Sequence, residues 1–541
     1  MAPLDKHTPR AAEVNQHSEQ EAVLRGLLDA QCYPHAVDAV ERIETHISTV
    51  LLAGAFAYKI KKPVDLGFLD FSTLALRHHY CEEELRLNRR LAPGLYLGVV
   101  AIVGTAAAPR IVAMDDPEAA DAIEFAVKMQ RFEQSALLDH MLARGELQPL
   151  HVDALAATVA GFHRRIDQAG KGGHGTPDNI AMPMRQNFAQ IRPLLSSPGE
   201  IAELDQLESW SIAQHHELEP VMTARQREGY IRECHGDLHL GNITWIDGEI
   251  HVFDCIEFNP SLRWIDVANE IAFTVMDLAA RGRPDWGARF LNGYLEITGD
   301  YSALRLLPNY LVYRAMVRAK VARIRAAQTE GELQREALAD YAGHIRLARA
   351  FTVPRQAALM ITHGVSGSGK TCATLPLVEQ LGALRLRSDV ERKRLHGLPR
   401  EARTGSALHA GLYSDAASMD TYVELGSLAV RVIEAGYPVI VDATFLSRAR
   451  RSAFRAIAAE LRVPFLILDF RADAGELRRR VSQRQAQGKD ASEATLAVLE
   501  RQLQDDEPLD GAESGFVIAI DTQVDTPSDI LARVRLAQGI V

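Results

Sequence analysis

The sequence predicts an α+β N-terminal region joined to an α/β domain built on a parallel sheet. Length is the first reason: single cores stop growing near roughly 250 to 300 residues, so a chain of 541 residues divides. The second is the set of apolar runs at 357–362, 383–387, 438–442, 464–470 and 516–520, which alternate with helical segments, as in a parallel sheet covered by helices on both faces. The third is that strand-like runs upstream are few, while helical patterns fill 150–225 and most of the stretch up to residue 350.

Residues 47–60, ISTVLLAGAFAYKI, read as two β-branched and aromatic strands around an Ala-Gly-Ala turn. The charged, periodic stretch 75–91 follows as a helix. Apolar runs return at 243–246 and 250–254, flanking Asp247-Gly248, a pair suited to a hairpin turn. In FTVPRQ, 351–356, Pro354 disfavours helix at the residue before it, and a new apolar strand starts at Ala357. The predicted junction lies there, giving one domain over 1–352 and a second over 353–541.

Apolar residues at 47% and charged residues at 24% supply ample core material and give no sign of disorder. The formal net charge of −11 offers no overall attraction to nucleic acid or anionic lipid, because phosphate neutralisation needs clustered Lys and Arg. Five cysteines (Cys32, Cys81, Cys234, Cys255 and Cys372) are scattered without a C-x-x-C pair. Neither a disulfide framework nor a zinc site is suggested, and a reducing, cytoplasmic compartment fits best. The first residues hold no apolar signal region, and no run of about 18 apolar residues occurs. Neither export nor a membrane span is therefore expected, and oligomeric state leaves no mark in the sequence.

Gly364, Val365, Ser366, Gly367, Ser368, Gly369, Lys370 and Thr371 match G-x-x-x-x-G-K-[ST], after the strand ALMIT and before an apolar helical segment. The glycines let backbone N–H groups wrap phosphates at a helix N-terminus. Lys370 then balances charge on the β and γ phosphates and the Thr371 hydroxyl is suited to Mg²⁺, so ATP and Mg²⁺ are the expected cofactors. Asp442 ends the run VIVD and is the expected second metal ligand, since ligands of open α/β sheets bind beyond the carboxyl ends of the strands. Asp469, ending FLILD, competes with it and is read instead as a solvated strand end.

Residues 357 to 510 resemble the small-molecule P-loop kinases, a group that includes shikimate, gluconate and zeta-toxin-type kinases. Such kinases place an acidic residue against the acceptor hydroxyl after the second strand, where this chain has Ser388-Asp389-Val-Glu-Arg392. The resemblance makes Asp389 a general base or substrate orienter, although a helix N-cap would draw on the same residue types. In Glu476-Leu-Arg-Arg-Arg480-Val-Ser-Gln-Arg484, Arg480 and Arg484 share a helix face. They resemble lid arginines that close on a transferring phosphoryl; the plain alternative is a solvated basic face.

Residues 233–242, Glu-Cys-His-Gly-Asp-Leu-His-Leu-Gly-Asn, are followed by Asp254 at the end of the run HVFD. This spacing resembles the aminoglycoside phosphotransferase family, within the wider protein-kinase-like fold. The resemblance implies Asp237 as the base, Asn242 and Asp254 as metal ligands, His235 as a scaffold residue and Asp266 as a support beneath the loop. A turn-rich connection between strands would use the same polar residue types. By the same resemblance Lys59 reaches the phosphates and Glu84 pairs with it, with Lys61 or Glu83 as substitutes. A surface lysine and a solvated helix charge are the plain readings of these two. The chain departs from protein kinases in lacking G-x-G-x-x-G, in having Asp-Cys-Ile in place of Asp-Phe-Gly, and in lacking Ala-Pro-Glu.

From residue 20 onward the chain resembles a bacterial family that joins an aminoglycoside-phosphotransferase-like domain to a P-loop ATP-binding domain of the AAA type, a predicted kinase. The fold so implied is an α+β protein-kinase-like domain of the aminoglycoside phosphotransferase type, fused to an α/β P-loop kinase domain with a parallel sheet. The expected function is bifunctional: each site transfers the γ-phosphoryl of ATP to a hydroxyl of a small molecule, a sugar, amino sugar or nucleoside. One alternative is regulatory, with one domain binding nucleotide and gating the other. A polynucleotide kinase is disfavoured by the acidic balance and by aromatics at only 6%, and a protein kinase by the missing motifs.

Overall fold

A two-residue alternation organises the first sheet. The computed structural model describes residues 11–67, 69–170, 173–402, 414–487 and 494–538. Its first six strands are β1 (Val40–Glu44), β2 (Ser48–Ala53), β3 (Phe56–Lys61), β4 (Tyr96–Thr105), β5 (Ala108–Ala113) and β6 (Glu124–Gln130), antiparallel in the order β1-β2-β3-β6-β4-β5. Successive side chains of a strand face opposite sides. In β3, Tyr58 and Ile60 pack with Leu24, Leu27 and Leu51, whereas Ala57 packs on the other face with Cys81, Tyr96 and Val127. Lys59 and Lys61 share the face of Ala57, which is covered by the helix Leu74–Asn88.

This sheet belongs to one of two compact units, comprising Met1–His151, Gly161–Ile180 and Ala224–Glu270. The unit also holds two short ribbons, β7 (Ile231–Glu233) with β10 (Trp264–Asp266) and β8 (Ile243–Ile246) with β9 (Glu249–Val252), all antiparallel. Asp247 and Gly248 turn the second ribbon with φ of 53° and 83°, the twist that a two-residue hairpin needs.

The other unit comprises Val152–Ala160, Ala181–Thr223 and Ile271–Val541. Helices Leu307–Gln328 and Gly331–Thr352 pack against each other. Beyond them come β11 (Leu359–His363), β12 (Leu384–Arg387), β13 (Val439–Asp442), β14 (Phe465–Arg471) and β15 (Val517–Asp521), all parallel, in the order β12-β13-β11-β14-β15. Each lies on one of the five apolar runs noted above. Every residue of β13 is buried, as expected of a parallel strand covered on both faces. Met360, Ile440 and Leu468 pack against Leu377 and Val378 of the helix Lys370–Leu381 and Ile530 and Val534 of the helix Pro527–Gln538. Each such side chain contributes about 1.5–3 kcal/mol by leaving water. Among the described residues, no helix is long and apolar enough to cross a membrane.

Candidate active sites

Because Lys59 and Lys61 stand two residues apart in β3, both reach the same carboxylate beneath the helix Leu74–Asn88. Glu84 is fully buried, its Oε1 2.8 Å from Lys59 Nζ and its Oε2 2.7 Å from Lys61 Nζ. Lys59 also meets Asp254 Oδ1 at 2.5 Å, and Lys61 meets the buried carboxylate of Glu257. The result is one string of alternating charge: Asp254, Lys59, Glu84, Lys61, Glu257. Burial penalises charge along it, and the neighbours decide the outcome. At Lys59 burial is outweighed by Asp254 and Glu84, which hold the ammonium well above its usual pKa. At Glu84 burial is outweighed by the two lysines, which draw the carboxyl down to about 2. At Glu257 burial prevails over Lys61, and the carboxyl stays above its ordinary value. Lys61 thus joins Lys59 on Glu84 instead of replacing it, while Glu83 turns to Arg86 and Arg263.

The loop between β7 and β8 carries the next group. His235 is buried; its Nε2 donates to Phe253 O at 2.9 Å and its Nδ1 accepts from Asp237 N at 3.3 Å. Those two roles define a neutral imidazole, in keeping with burial that pushes its pKa down to about 4. Glu270 accepts the backbone N–H groups of His235 at 2.6 Å and Gly236 at 2.9 Å, which pins the start of the loop. Asp237 Oδ2 accepts from Asn242 Nδ2 at 3.0 Å, and Asn242 O accepts from Phe253 N at 3.0 Å. Asp254 follows with φ 63°, a left-handed conformation that costs a non-glycine residue about 1 kcal/mol. Its N–H donates to Tyr96 Oη at 3.1 Å. Backbone strain of this kind clusters where side chains must be aimed. Asp266 is buried in a two-pronged pair with Arg225, both contacts at 2.8 Å.

In the other unit, residues 364–369 lead from β11 into the helix Lys370–Leu381. Gly364 and Gly367 have φ of 135° and 86°. A Cβ at 364 would lie 2.6 Å from Phe470 O, and one at 367 would lie 2.8 Å from Leu477 O, so the tight course of this loop requires glycine. Lys370 Nζ folds back over it, donating to Gly364 O at 2.7 Å and Val365 O at 2.8 Å. Burial lowers the Lys370 pKa to about 8; Asp442 and Asp389 oppose that shift, and Arg484 adds to it. Thr371 Oγ1 donates to Asp442 Oδ2 at 2.8 Å, bringing the two expected metal ligands together.

Asp469 is not a solvated strand end: it is 3% exposed, paired with His363 and with Arg471, each at 2.7 Å. Asp389 does not cap its helix, Ser388–Leu395, whose N-cap is Arg387; its Oδ1 accepts from Arg392 Nη1 at 3.0 Å. Arg480 Nη1 rests against the glycine loop, 3.4 Å from Gly367 O and 2.8 Å from Thr522 Oγ1. Arg484 Nη2 is buried and makes no hydrogen bond among the described residues.

What sequence reasoning passes over are residues that hold others. Glu257, Tyr96 and Glu270 fix the first site, as just described. At the second, Arg385 Nη1 donates to Thr371 O at 2.6 Å, and the Arg385 backbone N–H is accepted by Asn292 Oδ1 at 2.8 Å. For Lys61 a signal exists, its two-residue spacing from Lys59. For Glu257, Asn292 and Arg385 no local pattern points to the contact.

The family model of the phosphotransferase enzyme family matches residues 70–307, and that of an AAA domain matches residues 359–509. The chain is an ATP-dependent phosphotransferase in which a kinase-like domain of the aminoglycoside phosphotransferase type is joined to a P-loop kinase domain. It is 32% identical over 458 residues to the uncharacterized proteins Rv2004c of Mycobacterium tuberculosis and Mb2027c of Mycobacterium bovis, covering 82% of this chain and 86% of each relative. The chain belongs to the family that these proteins form. Among solved structures, a choline kinase from Cryptosporidium parvum Iowa II is 10% identical and covers 60% of this chain and 95% of its own, with a TM-score of 0.37. A gluconokinase from Sinorhizobium meliloti 1021 is 19% identical and covers 34% of this chain and 93% of its own, with a TM-score of 0.25.

Proposed function

We propose that the chain carries two separate sites, one in residues 1–352 and one in 353–541, each moving the γ-phosphoryl of ATP to a hydroxyl of a small molecule such as a sugar, amino sugar or nucleoside. The observation that carries this reading is that each domain gathers, on its own fold, a lysine for phosphates and a set of hard oxygen donors. In the first, Lys59 is held by Glu84 beside Asp254, and Asp237 is joined to Asn242. In the second, Lys370 lies across the glycine loop and Thr371 sits on Asp442. Carboxylate, amide and hydroxyl oxygens are the donors that Mg²⁺ prefers, and a cradle that a Cβ would fill suits a triphosphate. When bound, Mg²⁺ neutralises charge on the phosphate oxygens.

At the first site Lys59 presents its ammonium to the phosphates, and Asn242 and Asp254 offer the metal ligands. Asp237 takes the proton of the acceptor hydroxyl as its oxygen bonds to the γ-phosphorus; the bond from that phosphorus to the β–γ bridging oxygen breaks, and ADP leaves. At the second, Lys370 turns from the carbonyls of Gly364 and Val365 to the phosphates. Thr371 and Asp442 supply metal ligands, Asp389 orients or deprotonates the acceptor, and Arg480 and Arg484 approach the transferring group. Support for a cytoplasmic setting is that all five cysteines are unpaired.

The test is a metabolite-pool phosphorylation screen with γ-labelled ATP on the wild-type chain and on Asp237→Ala and Lys370→Ala. Two sets of labelled products are expected, each lost in one variant only. A single product lost in both variants would overturn the two-site reading.

A further inference from the structure

We infer that Asn292 and Glu296, on the helix Pro284–Thr298, are positioning residues for the P-loop site, holding Arg385 and through it the metal-side residue Thr371. The inference rests on the reading of the P-loop as a phosphoryl-transfer site. Both residues lie outside the matched segment 359–509, so they are a support from elsewhere in the chain.

Arg385, on β12, is 7% exposed. Its backbone N–H is held by Asn292 Oδ1 at 2.8 Å. Its guanidinium grips the first turn of the helix Lys370–Leu381, with Nη1 2.6 Å from Thr371 O and 3.3 Å from Thr374 Oγ1. A buried guanidinium needs a carboxylate partner, and two act on this one, Asp442 and Glu296. Asp442 is already engaged by the Thr371 hydroxyl.

Glu296 therefore carries the load: it is 5% exposed and lies 3.8 Å from Arg385, 3.3 Å from Arg387 and 3.5 Å from Arg400. Its charge beside these arginines leaves Asp442 to Thr371. The same segment steadies the helix that bears Asp389: Glu296 O accepts from Arg394, and Tyr301 Oη donates to Glu391 Oε1 at 3.1 Å. Without the Glu296 charge, Arg385 and Arg387 turn their demand on Asp442, and a cation must compete with a guanidinium for that carboxylate.

The test uses the full chain carrying Asp254→Asn to silence the first site, with Mg²⁺ titrated against a fluorescent N-methylanthraniloyl ATP. Glu296→Gln should raise the apparent Mg²⁺ dissociation constant about tenfold, the size expected for one charge acting across a partly buried site, with metal-free nucleotide binding not weakened. Asn292→Asp keeps the acceptor oxygen, adds a negative charge beside Arg385, and should tighten Mg²⁺ binding. Unchanged Mg²⁺ constants in both variants, or equal weakening with and without metal in Glu296→Gln, would overturn the inference. If Glu296→Gln does not yield folded protein, Asn292→Asp decides alone: tightening supports the inference, and no change or weakening defeats it. Nucleotide binding that is the same in Lys370→Ala as in its parent would instead bring down the P-loop reading on which the inference rests.

Discussion

Replacing Lys61 with methionine breaks the charge string at its most buried link. Lys61 is wholly buried between Glu84, at 2.7 Å, and Glu257. At that separation and an effective dielectric constant near 20, one contact is worth about 6 kcal/mol of Coulomb attraction. Desolvation offsets several kcal/mol of it for each ion, so removing one partner costs about 3–5 kcal/mol. Glu84 keeps Lys59 in the variant, but Glu257 is left buried without a cation, and its carboxyl, already raised by burial, takes up a proton. A raised folded-state pKa gives stability that is fully present below the unfolded value and lost as pH rises through the folded one. Lys61→Met should therefore be most damaging at high pH. Adding Glu257→Gln removes the stranded carboxyl and should restore at least about 2 kcal/mol in place of adding its own cost. Guanidinium unfolding followed by fluorescence reads the result, since Trp245 and Trp264 belong to this unit. Costs of the two substitutions that sum to within about 0.5 kcal/mol would refute the pairing.

Two further outcomes follow from the same geometry. Gly367→Ala places a Cβ 2.8 Å from Leu477 O and 3.0 Å from Val481 Cγ2 at a φ of 86°; ATP binding at the P-loop, measured by equilibrium dialysis in the Asp254→Asn background, should weaken about tenfold or more, and unchanged binding would show that the loop has room. His235 is held neutral with a pKa pushed down to about 4 by burial, so the unfolded chain binds the proton first. Stability is full above about pH 6.5 and falls by about 3 kcal/mol as pH drops to 4. His235→Asn should flatten that part of the pH profile of chemical denaturation, and an identical slope in the variant would remove His235 as its source.

The parallel sheet is legible because strands buried on both faces appear as unbroken apolar runs, VIVD and FLILD among them. The antiparallel sheet is legible only at β2 and β3. In β6, EFAVKMQ, buried Glu124 and half-buried Lys128 interrupt the pattern, and in β5 Pro109 and Arg110 do the same. Candidate residues within one loop, His235 to Asn242 and Gly364 to Thr371, stand out because their spacing is local. Lys61 and Glu257 are 196 residues apart and Arg385 and Asn292 are 93 apart, so neither contact has a periodicity to betray it. Asp469 is misread for the same reason: its partner His363 sits on a neighbouring strand, and chain order alone does not show that β14 pairs with β11.

The strand order β12-β13-β11-β14-β15 separates two duties among connections that share one rim of the sheet. On the proposed reading, the loop after the central strand holds the nucleotide, while Asp389, the residue assigned to the acceptor, comes from the connection after an edge strand, β12. A lengthened or rewritten edge connection leaves the middle of the sheet untouched. Under that reading, a change of acceptor calls for rewriting an edge connection and leaves the phosphate loop as it is.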